Sequence, residues 1–119
     1  MPNLETKKFL VLYLVPTSVM EDWKKTDPET RKVSEQKMMS EWGVWVGSHA
    51  KMIVSTDVGG KTKLVTQSGV SDSRNDIVLL SVVEAASHEE AAKSFENHPH
   101  LQIPQSSIQV MEIRPMSGM

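Results

Sequence analysis

The sequence contains no cysteine, which excludes disulfide bonds, thiolate nucleophiles and cysteine-based zinc or iron–sulfur sites. It also has no run approaching the ~20 apolar residues that would span a bilayer. Excess positive charge is absent, because 13 basic residues face 15 acidic ones and the formal net charge is -2. Such a chain has no broad positive field to attract a phosphate backbone. We therefore predict neither a membrane partner nor a nucleic-acid partner.

Signatures of common enzymes and of export are missing as well. There is no glycine-rich phosphate loop, nucleophile elbow or zinc-peptidase helix motif. The basic pair at residues 7–8 and the apolar run at 9–15 resemble the start of a signal peptide, but Pro16 then leads into an acidic segment without a cleavage pattern. We predict a cytoplasmic protein with no cofactor and no metal.

The length of 119 residues matches one domain, and we predict a single domain over residues 1–119 with an ordered core at about 8–116. Residues 9–15 and 77–83 are two nearly continuous apolar runs, typical of strands that are buried on both faces. Residues 107–114 supply a last strand. Residues 50–58 and 61–67 flank Gly59-Gly60, and this pattern predicts a β-hairpin, followed by a loop at 68–75.

Start signals for helices are clear at three places. Thr17 or Ser18 could cap a short helix, and Asp27 suits the cap of the next helix with Pro28 in its first turn. That helix carries apolar residues at three- and four-residue spacing, which predicts one buried stripe, and we expect it to end between Gly43 and Gly47. Met38, Met39, Trp42 and Trp45 belong to this stripe, as core residues or as the lining of an apolar pocket.

The third start signal lies near the end of the chain. Ser87 and Glu90 have the spacing of a capping box, and Pro99 should end the helix that follows.

The order of elements predicts an α+β fold, a ferredoxin-like βαββαβ sandwich with an extra hairpin arm. Two helices cover only one face of a four-stranded sheet, while the two central strands are apolar on both faces. The other face must therefore meet something else, most simply the same face of a second copy. We predict a homodimer, joined as a dimeric α/β barrel.

Three segments resemble the YCII-related family, also called the DGPF-domain family: residues 8–13, 91–101 and 108–115. The resemblance implies a ferredoxin-like fold and a dimeric α/β barrel. The family's Asp-Gly-Pro-Phe run falls near residues 68–71, where only the glycine is present. A smaller branch is thought to use a histidine in the first helix with an aspartate before a proline, and those places hold Lys37 and His98 here.

His98-Pro99-His100 is the most suggestive local cluster, because two imidazoles that flank a stiff proline can converge on a metal, a phosphate or a carboxylate. We predict His98 and His100 as catalytic residues. The alternative is that His98 simply caps the end of a helix, where the dipole favours a charged imidazole.

Four further residues are predicted to bind a ligand: Lys37, His49, Glu112 and Arg114. Glu112 and Arg114 share strand parity with Ile108 and Val110, which could place an ion pair in a cleft. The alternative, which we favour from the sequence, is a bulge that turns both charges outward and leaves Met111 and Ile113 in the core.

Two functions stay open at this point, and whether the protein is an enzyme is undecided. The first is a dimeric enzyme that performs general acid/base chemistry on a small polar metabolite in a cleft near the end of the second helix and the last strand. The second is a non-catalytic dimeric module that binds a ligand or another protein. A titratable group with a shifted pKa inside a pocket would favour the enzyme, and an apolar groove would favour the module.

Overall fold

A computed structural model describes residues 6–116 of the chain. The strands are β1 (Lys7–Leu14), β2 (Ile53–Val58), β3 (Thr62–Thr66), β4 (Gly69–Ser73), β5 (Ile77–Ala85) and β6 (Ser107–Ile113). The α-helices are α1 (Thr17–Lys25), α2 (Pro28–Ser48) and α3 (His88–Lys93), and a 3₁₀ helix covers Pro99–Gln102. The fold is therefore α+β, as predicted. No helix in this part of the chain is both long and apolar enough to cross a membrane.

Four strands form an antiparallel sheet in the order β2-β5-β1-β6. The two central strands, β1 and β5, are the two continuous apolar runs of the sequence, and this prediction is confirmed. Phe9, Val11 and Tyr13 are buried on the face that meets the helices. The alternate residues Leu10 and Leu12 point to the opposite face and are half-buried.

The predicted hairpin around Gly59-Gly60 is wrong. β2 pairs with β5 instead. β3 matches the predicted second arm but pairs with β4, which lies inside the segment that was predicted to be a loop. Thr66 faces Gly69, so the turn consists of residues 67 and 68, and Gly69 adopts a φ of 126° that favours glycine. Gly59 is explained by a close approach, because an added Cβ would lie 2.9 Å from the carbonyl oxygen of Ile77.

The expected end of α2 is also wrong. The helix continues through Gly43 and Gly47 to Ser48, and an added Cβ at either glycine would meet nothing within 4 Å. The predicted buried stripe is much reduced, since Trp45 is the one buried side chain of this helix and Met39 is 74% exposed. Trp42 and Trp45, in the carboxyl-terminal half of α2, pack on the hydrophobic core.

Two of the predicted helix starts are confirmed and one is corrected. Asp27 caps α2 by accepting a hydrogen bond from the Thr30 amide at 3.1 Å. Ser87 caps α3 by accepting from the Glu90 amide at 3.1 Å. Thr17 is the first residue of α1 rather than its cap, because Pro16 precedes the helix without a capping side chain.

The bulge expected in the last strand is absent. β6 pairs with β1 in one continuous register, in which Glu112 faces Phe9 and Val110 faces Val11. Glu112 and Val110 therefore lie on the helix side of the sheet, and Met111 is turned to the other face, where it is 48% exposed. The expectation that Met111 and Ile113 form the core is wrong.

Candidate functional site

His98 and His100 lie in the short connection between α3 and β6, and both are only 1% exposed. Asn97 turns the chain with a φ of 62°, and Pro99 restricts His98 to an extended backbone with φ -58° and ψ 140°. In this position the His98 side chain caps the 3₁₀ helix, because its Nδ1 accepts a hydrogen bond from the His100 amide at 3.0 Å. The alternative of a charged His98 that caps the end of the preceding helix is therefore wrong, because α3 ends at Lys93 and His98 instead caps the start of the 3₁₀ helix as an acceptor.

The hydrogen bonds fix the protonation pattern of both imidazoles. Because His98 Nδ1 is an acceptor, the proton of the neutral ring sits on Nε2. The Nε2–H of His100 donates to the carbonyl oxygen of Leu14 at 3.1 Å. His98 Nε2 and His100 Nδ1 are then left buried without a partner among the described residues. One is a free donor and the other is a free acceptor.

Aromatic rings from three parts of the chain surround the two imidazoles. The centroid of His98 lies 4.4 Å from that of Trp42 and 4.5 Å from that of Trp45, both in edge-to-face arrangements. Tyr13 lies 5.5 Å from each histidine ring, and Phe95 lies 5.8 Å from His98. We call these six residues the histidine–aromatic cluster: Tyr13, Trp42, Trp45, Phe95, His98 and His100.

The position of Trp45 ties the two helices together at this cluster. Its indole N–H donates to the carbonyl oxygen of Ser94 at the end of α3, at 3.2 Å. Trp45 also stacks on His49, with the ring centroids 4.2 Å apart and the planes at 16°. The cluster therefore joins α2, the α3–β6 connection and the central strand β1.

Burial makes the cluster unfavourable for positive charge. Desolvation, with smaller contributions from the neighbouring His100 and His49, lowers the pKa of His98 from 6.5 to about 4. Desolvation also lowers the pKa of His100, against the opposing effect of the carbonyls of Leu14 and Ser107. Both imidazoles are therefore neutral at pH 7.

A chain of three hydroxyl groups runs from the cluster along the sheet. Tyr13 Oη lies 3.0 Å from Ser81 Oγ, and Ser81 Oγ lies 2.8 Å from Thr56 Oγ1. Burial raises the pKa of Tyr13, although the hydrogen bond with Ser81 works in the opposite direction. Ser81 is buried and Thr56 is exposed, so this chain connects the cluster with solvent.

An apolar groove of ≈ 280 Å³ lies on the other side of the cluster, between α3, the 3₁₀ helix and β6. Its lining residues are Ala92, Phe95, Glu96, Leu101, Ile108 and Val110. Phe95 belongs to both the groove and the cluster, so its ring is the wall between them. Neither His98 nor His100 lines this groove.

The other predicted ligand-binding residues lie apart from His98 and His100, with the exception of His49. His49 is half-buried against Trp45, where its Nδ1–H donates to the carbonyl oxygen of Trp45 at 2.8 Å. Lys37 is exposed on the distal part of α2 and does not belong to the cluster. The pairing of Lys37 with His98 implied by the resemblance is not observed.

Glu112 and Arg114 lie at the far end of β6, where they line a shallow depression with Pro115 and Met116. Glu112 is four residues from Ile108, which is about 13 Å along a strand. Its carboxylate is 3.9 Å from Lys7 Nζ, so its charged neighbour is Lys7 rather than Arg114. The structure does not bring Glu112 and Arg114 together with the histidines.

Sequence reasoning missed the hydroxyl residues Tyr13, Ser81 and Thr56. A signal existed for Ser81, because it is a lone hydroxyl in an apolar strand and shares the parity of the buried Val83. Nothing comparable marked Thr56, whose contact with Ser81 depends on the pairing of β2 with β5.

Comparison with known proteins gave no family, because no protein-family model and no curated protein matches the chain. Among residues 6–116, no group of three or more histidine, aspartate or glutamate side chains is arranged to hold a metal ion.

Proposed function

We propose that this protein is a homodimeric binding module with a ferredoxin-like fold, related to the YCII family, whose ligand site is the histidine–aromatic cluster. The observation that carries the proposal is the pair of buried ring nitrogens without partners, His98 Nε2 and His100 Nδ1. Buried polar atoms are nearly always hydrogen-bonded, so a donor and an acceptor that lack partners are candidate contacts for a bound molecule.

Recognition accounts for the histidines better than proton transfer does. A general acid or base works best with a pKa near the working pH, whereas the pKa of His98 is lowered to about 4. At pH 7 this residue has no proton to give as an acid, and it is a weak base. The binding module is therefore the conclusion that the site supports best. A cytoplasmic location is proposed from the sequence alone.

A second candidate is a small-molecule enzyme using general acid/base chemistry, and one observation favours it. The hydroxyl chain from Tyr13 through Ser81 to Thr56 reaches from the cluster to solvent. Hydroxyl groups in such a line can pass a proton by exchanging donor and acceptor roles. In an enzyme, Tyr13 would be the group that exchanges a proton with a substrate.

Proton NMR of the four histidines tests the proposal directly. The histidine ring signals are followed while a library of small metabolites is added at pH 7, and His88 serves as a reference because it lies outside the cluster and donates to the carbonyl of Val110. We expect ligand-dependent shifts at His98 and His100 and none at His88. If every compound leaves His98 and His100 unchanged, the proposed site is wrong.

The homodimer is supported by the face of the sheet that no helix covers. Seven apolar side chains lie on this face: Leu10, Leu12, Leu14, Leu80, Val82, Met111 and Ile113. A contiguous apolar patch of this kind is rarely left in water by a monomeric protein. The same face of a second copy would offer the same aliphatic side chains, as a two-fold axis requires.

The shape of the chain also supports a second copy. Its extents are 54 × 45 × 19 Å, and its radius of gyration is 16.9 Å. A compact domain of this length is expected to have a radius of gyration of about 13–14 Å. The smallest extent, 19 Å, corresponds to one sheet with one layer of helices. The other face of the sheet therefore still needs a covering layer.

A further inference from the structure

We infer that the outer edge of β6 is a docking site for an extended peptide of a partner protein, which adds to the sheet as one more antiparallel strand. Apolar side chains of this peptide enter the groove beside α3, and a basic side chain that follows them meets Glu96. The inference goes beyond the proposed function, because neither His98 nor His100 lines that groove.

The backbone of β6 has polar groups that face away from the sheet. β6 is an edge strand, and backbone groups alternate in direction along a strand. The Glu84 amide donates to the Met52 carbonyl beside β2 at 2.8 Å, so the odd-numbered residues next to it in β5 bond to β1. Val11 pairs with one of them, Ser81, and therefore has no backbone bond to Val110, which lies opposite it in β6. The residues of β6 with outward amide and carbonyl groups are those of this parity: Ile108, Val110 and Glu112.

One of these outward groups is already occupied by a side chain. His88 Nε2–H donates to the Val110 carbonyl at 2.7 Å, which agrees with the outward direction of that group. Within residues 6–116 no other hydrogen bond reaches this edge. The opposite edge strand, β2, has an irregular register between Ile53 and Ser55, a feature that hinders edge pairing. The register of β6 is continuous, so β6 is the edge that can accept another strand.

The apolar groove lies directly along this edge. Ile108 and Val110 form its wall on the sheet, because their side chains point to the helix side. Ala92 and Phe95 of α3 form the facing wall, and Leu101, which is 42% exposed, closes one end. An extended peptide beside β6 would turn every second side chain towards α3. Backbone pairing with the edge and occupation of the groove would therefore occur together, as in other cases of strand addition.

Charge favours a partner peptide over a second copy of β6. Glu96 lines the groove, is exposed and forms no ion pair within residues 6–116. If two copies of β6 paired in antiparallel orientation about Val110, the partner's Glu112 would lie opposite Ile108. Two carboxylates would then lie at the same groove, which is unfavourable. A peptide with lysine or arginine after its apolar residues gains an opposite charge instead.

The peptide acetyl-Thr-Val-Thr-Leu-Thr-Lys-Thr-amide tests the inference. Its valine, leucine and lysine share one face, and threonine and valine favour extended backbone. The peptide is titrated into isotope-labelled full-length protein, and we expect saturable NMR shifts of the Ile108 and Val110 amides. If millimolar peptide leaves both amides unchanged, the docking site is wrong.

Two N-methylated peptides separate strand addition from simple occupation of the groove. The amide of the leucine would face β6, so its N-methylation should weaken binding by at least about threefold, the worth of one hydrogen bond. The amide of the preceding threonine would face away from β6, so its N-methylation should leave the affinity within about twofold. Equal affinities of the two modified peptides would overturn strand addition.

Substitution of Glu96 tests the charge. We expect E96Q to bind the lysine peptide about twofold to fivefold more weakly, the usual worth of an exposed ion pair. A peptide with glutamine in place of lysine should bind E96Q and the wild type equally. E89Q is the matched control on the same helix, because Glu89 already pairs with Lys93 at 3.2 Å. If E96Q does not weaken the lysine peptide, the basic residue is not part of the recognised pattern.

Substitution of His88 gives an effect of the opposite sign. H88F retains a ring against Phe9 and frees the Val110 carbonyl for the peptide. We expect about threefold to tenfold tighter binding, and unchanged or weaker binding would contradict pairing through Val110.

The protein without peptide distinguishes the remaining occupant. If the Ile108 and Val110 amides shift with protein concentration alone, the edge belongs to a second copy, and the peptide is wrong as its occupant. Failure of the peptide experiments leaves the histidine titration unaffected, so the inference and the proposed function can fail separately.

Discussion

His98 carries two roles in one side chain, since it caps the 3₁₀ helix and forms the centre of the aromatic cluster. Its cap requires an unprotonated Nδ1, because the His100 amide donates to that atom. A protonated ring would place its Nδ1–H against the N–H of the His100 amide, and its charge would lie in surroundings that disfavour charge. The imidazole is thus a structural element only in its neutral form.

We predict that this requirement appears as acid sensitivity of stability. Folding lowers the pKa of His98 from 6.5 to about 4, so the folded state binds fewer protons than the unfolded state. The stabilisation that depends on a neutral His98 is fully present above pH 6.5. As the pH falls from 6.5 to about 4, the free energy of unfolding decreases by about 3 kcal/mol. Urea unfolding at pH 7 and pH 4 measures it. H98N should show a smaller difference between the two pH values, and an equal difference would contradict the assignment.

The hydroxyl chain gives a second prediction for a single residue. S81A removes the partner of the buried Tyr13 hydroxyl, so we expect a loss of about 1–3 kcal/mol in the free energy of unfolding. T56V is the matched control, because Thr56 is exposed at the solvent end of the chain and should cost much less. Denaturant unfolding of both variants provides the comparison. Equal costs would show that Tyr13 does not depend on Ser81.

Helix α2 shows at the scale of one element how glycine position decides the effect of a substitution. Gly43 lies in the interior of a regular helix and Gly47 in its last turn, and both have open space at the Cβ position. We predict that G43A and G47A each stabilise the protein by about 0.5–1 kcal/mol, because alanine loses less backbone entropy in a helix. Thermal unfolding measures the change.

Gly59 provides the opposite control, because a substitution to alanine at this position should lower stability. G59A should destabilise, since its Cβ would be forced to 2.9 Å from the backbone oxygen of Ile77. If G43A and G47A destabilise instead, something outside the protomer approaches that part of α2 closely.

The elements also show what could be predicted from the sequence. Local signals were sufficient where one side chain decides the outcome, as with Asp27 and Ser87 at the helix starts and with the apolar runs of β1 and β5. The hairpin failed because Gly59-Gly60 resembles a turn, whereas strand pairing depends on β5, which lies far along the chain. The end of α2 failed because a glycine lowers helix propensity without forbidding a helix.

The residues of the candidate site also divide into those that a local sequence signal marks and those that depend on contacts between distant parts of the chain. His98 and His100 were selected from the sequence, since two histidines around a proline stand out locally, and their functional role stays a prediction. Their relation to Tyr13 and Trp42 depends on contacts between elements that are far apart in the chain, and no spacing rule encodes such contacts. Glu112 lies on the helix side of the sheet, which agrees with the less favoured of the two sequence interpretations. It lies at the far end of the strand from the histidines, which the sequence did not predict.

At the scale of the whole molecule, the uncovered face of the sheet predicts a dimer. We expect that one charged substitution on this face dissociates it. Leu12 lies at the centre of that face, on the strand β1 that has a neighbour on each side, and it is half-buried in the protomer. Two-fold packing would bring Leu12 close to its own copy, so L12E would bury two like charges without partners.

Sedimentation at micromolar concentration distinguishes the outcomes for this face. We expect the wild type to have about twice the mass of 13.3 kDa and L12E to approach the mass of one chain while keeping its secondary structure. V33E makes the same kind of change on α2, at a side chain that is 67% exposed, and should stay dimeric. A monomeric wild type would exclude the barrel. A dimer that survives L12E and dissociates in V33E would instead place the interface on α2.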